Sequence, residues 1–362
     1  LSRMFGADDF VLKRAHRLTD WTNGHELLRF AFTHSRVGEG LVARAWHTAL
    51  LGLSEKDNWR ELSAARSARG AELATMLGLG EETADGIRAL DEHWDGAGLP
   101  EGRRGNHIPL LGRIAGLAQT VDSFASGFGV EVAYEVVRQR RRTWFDPALV
   151  NALHSFERDH PFWTRLFSAD QVPQVSALEP PDRLLFADEG RLDAVAEVFA
   201  RVVDAKSPYT VRHSEGVAAI AVAIAGELGA SSEELVTLRR AGLLHDIGNL
   251  GISNLILDKP GDLTEAEIGE MRKHTGYTLE ILSRVQPFAA FADLAAAHHE
   301  RLDGSGYHLG LTAGDLPPLA RILAVADTVE ALSAERPYRR AMQRDEVLVI
   351  MRRLVGTTLC PK

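Results

Sequence analysis

The residues best suited to chemistry lie in His298-His299-Glu300-Arg301-Leu302-Asp303-Gly304-Ser305-Gly306-Tyr307. Imidazoles are costly to bury without partners, and consecutive helical side chains point about 100° apart, so a core would use at most one of two adjacent histidines. Two imidazoles at a helix end, followed by glycines that let backbone approach an anion, suit a pair of metal ligands instead. His213, His245, His274 and His308 lie in the same half of the chain. Asp246 directly follows His245, and Asp327 follows the apolar run Ala324-Val325-Ala326. A lone carboxylate in such a helix is expensive to bury unless a cation compensates it. A His-Asp pair at a helix end can offer an imidazole and a carboxylate to one centre, and the carboxylate can bridge two cations with its two oxygens. Several neutral imidazoles with two carboxylates suit iron, manganese or zinc rather than magnesium or calcium. A two-metal centre activates water at neutral pH, clamps a phosphoryl oxygen and steadies a leaving alkoxide.

The elements that must hold these groups read as helices. Leu192 to Ala205, Val217 to Leu228, Ser232 to Leu244 and Glu265 to His274 have helical periodicity and good helix formers, while β-branched alternating runs are scarce. Thr264-Glu265-Ala266-Glu267 reads as a capping box, and Ser231-Ser232 can cap the helix that follows. The expected fold class is all-α. Pro173, Pro180 and Pro181 break the pattern, so the expected organisation is a domain over 1–166, a linker over 167–190 and a domain over 191–362.

The two halves repeat. Glu92-His93-Trp94-Asp95-Gly96-Ala97-Gly98 lies over Glu300 to Gly306 at a constant offset, and the match continues through Pro109/Pro317, Arg113-Ile114/Arg321-Ile322 and Thr120-Val121/Thr328-Val329. Where the second copy has His298, His299 and Asp327, the first has Leu90, Asp91 and Gln119. Copy one therefore keeps the framework and lacks the metal ligands. Its histidines (His16, His25, His34, His47, His93, His107, His154 and His160) show no metal spacing and read as surface or satisfied core residues. Both ends look cut: the chain starts with Leu1 and not Met, and copy two stops at Lys362 where copy one runs on into Ala148 to Phe156.

Composition bounds the partners. A net charge of -9 argues against a surface devoted to nucleic acid, so no direct nucleic-acid binding is expected. Cys360 is the only cysteine, which excludes an internal disulfide and fits a cytoplasmic setting. No apolar run reaches the roughly 18 residues of a membrane span, and no leader precedes the first helix, so no membrane partner is expected. Apolar helices in paired domains are compatible with a homodimer.

Taken together, the second half resembles the HD-GYP domains, a branch of the HD phosphohydrolase superfamily. The resemblance rests on Asp204-Ala205-Lys206-Ser207-Pro208-Tyr209-Thr210 ahead of His213, on Leu243-Leu244-His245-Asp246-Ile247-Gly248, on Lys259-Pro260-Gly261, and on His274 with Gly276. It continues through the His298 stretch, Asp327 and Arg336-Pro337-Tyr338-Arg339. It implies two tandem HD-type helical domains, the first degenerate, and a phosphodiesterase that hydrolyses cyclic di-GMP to pGpG, or onward to GMP, by a metal-bridging hydroxide. The implied ligands are His213, His245, Asp246, His274, His298, His299 and Asp327, with Asp246 bridging two divalent ions, iron or manganese first and zinc as the alternative. Arg336, Arg339, Gly306 and Tyr307 are the implied substrate contacts, and Asp246 and Asn249 the catalytic positions.

This chain departs from the family pattern at three places. Asn249 stands where the family carries a lysine that meets the scissile phosphate, and Asn has no charge to offer. The name-giving Gly-Tyr-Pro reads Gly306-Tyr307-His308, which is expected to loosen the loop. Tyr209 stands where members with a third metal carry Glu, so two metals are expected. The loss of the lysine keeps two alternatives open: a cyclic di-GMP sensor or scaffold with little turnover, and an HD phosphohydrolase for another nucleotide.

Overall fold

Helices and their caps account for the regular structure of the protein. The computed structural model describes residues 2–21, 23–35, 40–168, 175–178, 187–335 and 340–361. Among these the only extended pairing is three isolated bridges, so the fold is all-α. The chain forms two compact units, Leu1–Phe186 and Ala187–Lys362. No helix among the described residues is long and apolar enough to cross a membrane.

The caps follow from local sequence. The Ser231 hydroxyl accepts from the Glu234 N–H, and the Glu234 carboxylate accepts from the Ser231 N–H at 2.8 Å. Thr264 and Glu267 make the same reciprocal pair. Such caps satisfy donors that a helix start otherwise leaves orphaned. The expected helix from Glu265 to His274 is two helices, Glu265–Met271 and Lys273–Ser283. The break frees the Met271 carbonyl to accept from the His274 ring at 2.7 Å.

In the second unit, His213–Glu227 packs on Ser232–Leu244 with little between the backbones. A Cβ built on Gly242 would stand 2.8 Å from Ala218 Cα, so only glycine permits this approach. Val217, Ala218, Ala221, Ala225, Leu238, Ala241 and Leu244 fill the seam, joined by Leu282, Leu323 and Ala326. Each fully buried leucine contributes about 1.5–3 kcal/mol. Arg240, itself buried, bridges to Asp193 at 2.7 Å and Glu189 at 2.8 Å and ties Glu189–Asp204 to this pair. The result brings the start of one helix, at His213, beside the end of the next, at His245.

The first unit holds Asp9–Leu18, Gly24–His34, Leu41–Met76, Glu81–Arg88, Leu110–Phe128, Val130–Gln139, Pro147–His154 and His160–Leu166. Its main core is Leu117, Val121, Phe124, Tyr134, Val137, Val150 and Trp163. Its loop after Leu90-Asp91 repeats two of the amide bonds of the loop after His298-His299, where Glu300 also accepts from the Leu311 N–H at 2.9 Å. Glu92 accepts from the N–H groups of Glu101 (2.7 Å) and Gly102 (3.1 Å). Glu300 accepts from those of Leu309 (2.7 Å) and Gly310 (3.2 Å). Asp95 and Asp303 each accept at 2.9 Å from the amide two residues on. Gly96 and Gly304 both take positive φ, 84° and 75°, where a side chain would be strained.

Candidate metal centre

The seven residues expected as ligands converge. His213, His245 and Asp327 place ligand atoms within 4.8 Å of one another, as do His274, His298 and His299, and His245, Asp246 and His298. Asp246 joins the groups by dividing its carboxylate. Its Oδ2 lies 3.8 Å from His213 Nε2 and 3.6 Å from His245 Nε2, while Oδ1 lies 3.5 Å from His274 Nε2 and 3.6 Å from His298 Nε2. Asp327 does likewise, with Oδ1 at 3.3 Å from His213 Nε2 and Oδ2 at 3.9 Å from His299 Nδ1.

These separations fit ions. Donors around a centre with bonds of about 2.0–2.2 Å stand roughly 3.0–3.5 Å apart, close to what is seen here. The Nε2 of His245 is fully buried and has no hydrogen-bond partner, a loss that a metal bond would repair. The donor set of five imidazoles and two carboxylates matches transition metals better than magnesium or calcium. The site therefore fits divalent metal.

Backbone carbonyls fix which nitrogen faces inward. Gly242 O accepts from His245 Nδ1 at 2.8 Å, Met271 O from His274 at 2.7 Å and Ala295 O from His298 at 2.7 Å. With Nδ1 carrying the proton, each Nε2 is left bare for a metal. His213 differs: its Nδ1 donates to the buried carboxylate of Glu330. Sequence reasoning missed Glu330, although an acid three residues after Asp327 shares its face of the helix Pro318–Ser333.

The electrostatics are those of a cation site. Burial drives the His299 imidazole down to about 4 and holds His298 well below its ordinary value, so both are neutral ligands at physiological pH. Burial opposes the charge of Asp246 and Asp327, yet the surrounding imidazoles hold both carboxyls below the usual range. His213 is also penalised by burial, but Asp327 and Glu330 outweigh this and raise it to about 10. A proton held there does what a divalent ion does better.

The glycines of the site are close approaches of backbone. A Cβ on Gly306 would stand 2.5 Å from Glu300 Cα and 2.7 Å from His299 O. Gly306 thus lets the loop fold back on the residues carrying His299. The Tyr307 ring packs against His299, 4.8 Å between centroids, and the Arg272 guanidinium lies 5.3 Å from the Tyr307 ring centre. Asn249 is buried at the end of the His245-Asp246 turn, and its Oδ1 has no hydrogen-bond partner. Arg336 and Arg339 lie outside the described residues.

His308 is not a loosened proline position. Its φ is 98°, which proline cannot adopt, and its ring lies over Gly276, 3.3 Å from where a Cβ would be. His308→Pro is expected to destabilise the second unit by more than about 1 kcal/mol, whereas His308→Gly should be neutral or stabilising. Urea denaturation of both variants checks this; equal stability of the proline variant would contradict the backbone geometry.

Comparison with known proteins places this centre among relatives. An HD domain model matches residues 197–360. The chain is 40% identical, over its whole length and 78% of the relative's, to 3'3'-cGAMP-specific phosphodiesterase 3 of Vibrio cholerae. A crystal structure described as a cyclic GMP-AMP specific phosphodiesterase of V. cholerae (V-cGAP3) superposes with a TM-score of 0.62 at 38% identity, covering 97% of this chain and 82% of that one. The cyclic di-GMP phosphodiesterase response regulator RpfG of Xanthomonas campestris is 38% identical over 45% of this chain and 44% of its own.

Proposed function

Because the chain belongs to the HD-GYP branch of the HD domain family, we propose that it opens 3',3'-linked cyclic dinucleotides, with 3'3'-cGAMP ahead of cyclic di-GMP as substrate. It is a metal-dependent phosphohydrolase, an enzyme of the HD-GYP phosphodiesterase type. The observation that carries the reading is the carboxylate of Asp246, whose two oxygens face two separate imidazole groups. That arrangement asks for two ions: His213, His245 and Asp327 would hold one, and His274, His298 and His299 the other, with Asp246 shared. When bound, the ions supply Lewis acidity toward a phosphoryl oxygen and activation of water.

The chain's own residues orient the rest. Carbonyl-anchored imidazoles keep the centre rigid, and Tyr307 walls one side of it. The overall step adds water across one phosphodiester: a P–O bond to a 3'-oxygen breaks, that oxygen takes a proton, and a linear dinucleotide with a 5'-phosphate leaves. The unpartnered Oδ1 of Asn249 can accept a hydrogen bond from a water or hydroxyl beside the scissile group, but Asn249 has no charged donor to offer the phosphate. Arg336 and Arg339, placed by the sequence pattern, and Tyr307 are the proposed substrate contacts.

The substrate order rests on extent of likeness. One relative named for 3'3'-cGAMP matches both units, while two others so named, like those named for cyclic di-GMP, match less than half of the chain. The test is turnover by anaerobically purified protein in manganese or iron buffer, with products separated by chromatography. The expected kcat/KM favours 3'3'-cGAMP by about 10-fold or more, the scale on which a pocket separates similar substrates. Metal-loaded protein that binds a cyclic dinucleotide tightly without turnover would decide for a sensor instead.

A further inference from the structure

The two ion positions are built unequally. Around one, His274 and His298 donate their outer N–H groups to the neutral carbonyls of Met271 and Ala295. Around the other, His213 is held between two carboxylates of one helix. Asp327 Oδ1 lies 3.3 Å from its Nε2, and Glu330 accepts from its Nδ1 one turn further along. Glu330 is buried, and space for it is made on the helix that carries His213: a Cβ on Gly216 would stand 2.9 Å from Glu330 Cγ. A carboxylate on the outer nitrogen makes an imidazole a stronger donor to metal than a carbonyl does.

We propose that Glu330 is a positioning residue that acts through His213 to make the His213/His245/Asp327 position the tighter of the two, so that the ions load in a fixed order. This rests on the two-ion reading of the centre. The first position gathers Asp327, half of Asp246 and the charge of Glu330 relayed through His213. The second gathers three imidazoles, the other half of Asp246 and, further off, Asp327 Oδ2 at 3.9 Å from His299 Nδ1, against 3.3 Å from Oδ1 to His213. A divalent ion that prefers anionic donors fills the first before the second, and only the filled pair completes the site.

The test is a titration of the metal-stripped full chain with Mn²⁺, followed by bound metal per chain and by electron paramagnetic resonance. An isolated ion gives resolved hyperfine structure, and a spin-coupled pair a broadened signal. The wild type is expected to bind in two separated steps, the isolated-ion signal coming first. Glu330→Gln keeps the volume and one acceptor oxygen but not the charge, and is expected to weaken the first step by about 10–100-fold. Glu330→Ala should weaken it at least as much, and circular dichroism of each metal-free variant confirms that it folds. Wild-type affinity in Glu330→Gln, or simultaneous uptake of two ions by the wild type, overturns the proposal while leaving the centre intact. Failure of the wild type to bind any ion overturns the two-ion reading itself.

Discussion

Asp246→Ala is expected to release both ions at once and to lower phosphodiesterase turnover by more than the 10²–10³-fold or so that loss of one charge-stabilising donor causes. The reason is the split carboxylate. Removing one imidazole weakens one position, but removing Asp246 takes an anionic ligand from both and leaves Asp327 as the one carboxylate among the candidate ligands. Metal analysis after purification in manganese is the direct measurement. Retention of two ions per chain would show that Asp246 is not shared. Loss of a single ion would show that it belongs to one position alone.

Gly248→Ala is the second large effect. A Cβ on Gly248 would stand 1.8 Å from His274 O and 2.7 Å from Thr278 N, both backbone atoms that cannot step aside. Gly248 lies in the turn Ile247–Gly251 directly after Asp246, and that turn is clamped to Lys273–Ser283 by Thr278. The Thr278 hydroxyl accepts from Gly248 N–H at 3.0 Å and donates to His245 O at 2.8 Å. Adding a methyl must push the helix carrying His274 away from the turn carrying Asp246. The expected cost is about 3 kcal/mol or more, at the upper end of overpacking. Denaturant unfolding of the metal-free protein measures it, and metal binding should fall in parallel because His274 moves with its helix. A stability within about 0.5 kcal/mol of wild type, as a surface change would give, contradicts this packing.

Five of the seven candidate ligands stood out in the sequence because such residues are costly anywhere else, and the family resemblance added His213 and His274. Adjacent histidines, a His-Asp pair and an aspartate in an apolar helix each ask for a compensating charge, and the structure brings all seven together. The helices were readable where caps announce them, as at Ser231 and Thr264. What escaped was geometry that residue type does not encode. The break at Arg272, which hands the Met271 carbonyl to His274, interrupts an unbroken helical pattern. Glu330 looked like an ordinary acid because its burial depends on Gly216 in a helix more than a hundred positions away. His308 was expected to loosen a loop because proline was the reference. Its positive φ and its seat on Gly276 are properties of the folded chain alone.

The paired loops built on Glu92 and Glu300 separate architecture from chemistry. One follows two histidines and the other a leucine and an aspartate, yet a single glutamate side chain gathers two matching amides in both. The turn is therefore self-supporting: its shape is paid for by hydrogen bonds to an acid that takes no part in ligation. A scaffold of that kind can keep or shed its reactive groups without relearning how to fold, which leaves one half of such a chain free to drift toward tasks unrelated to hydrolysis.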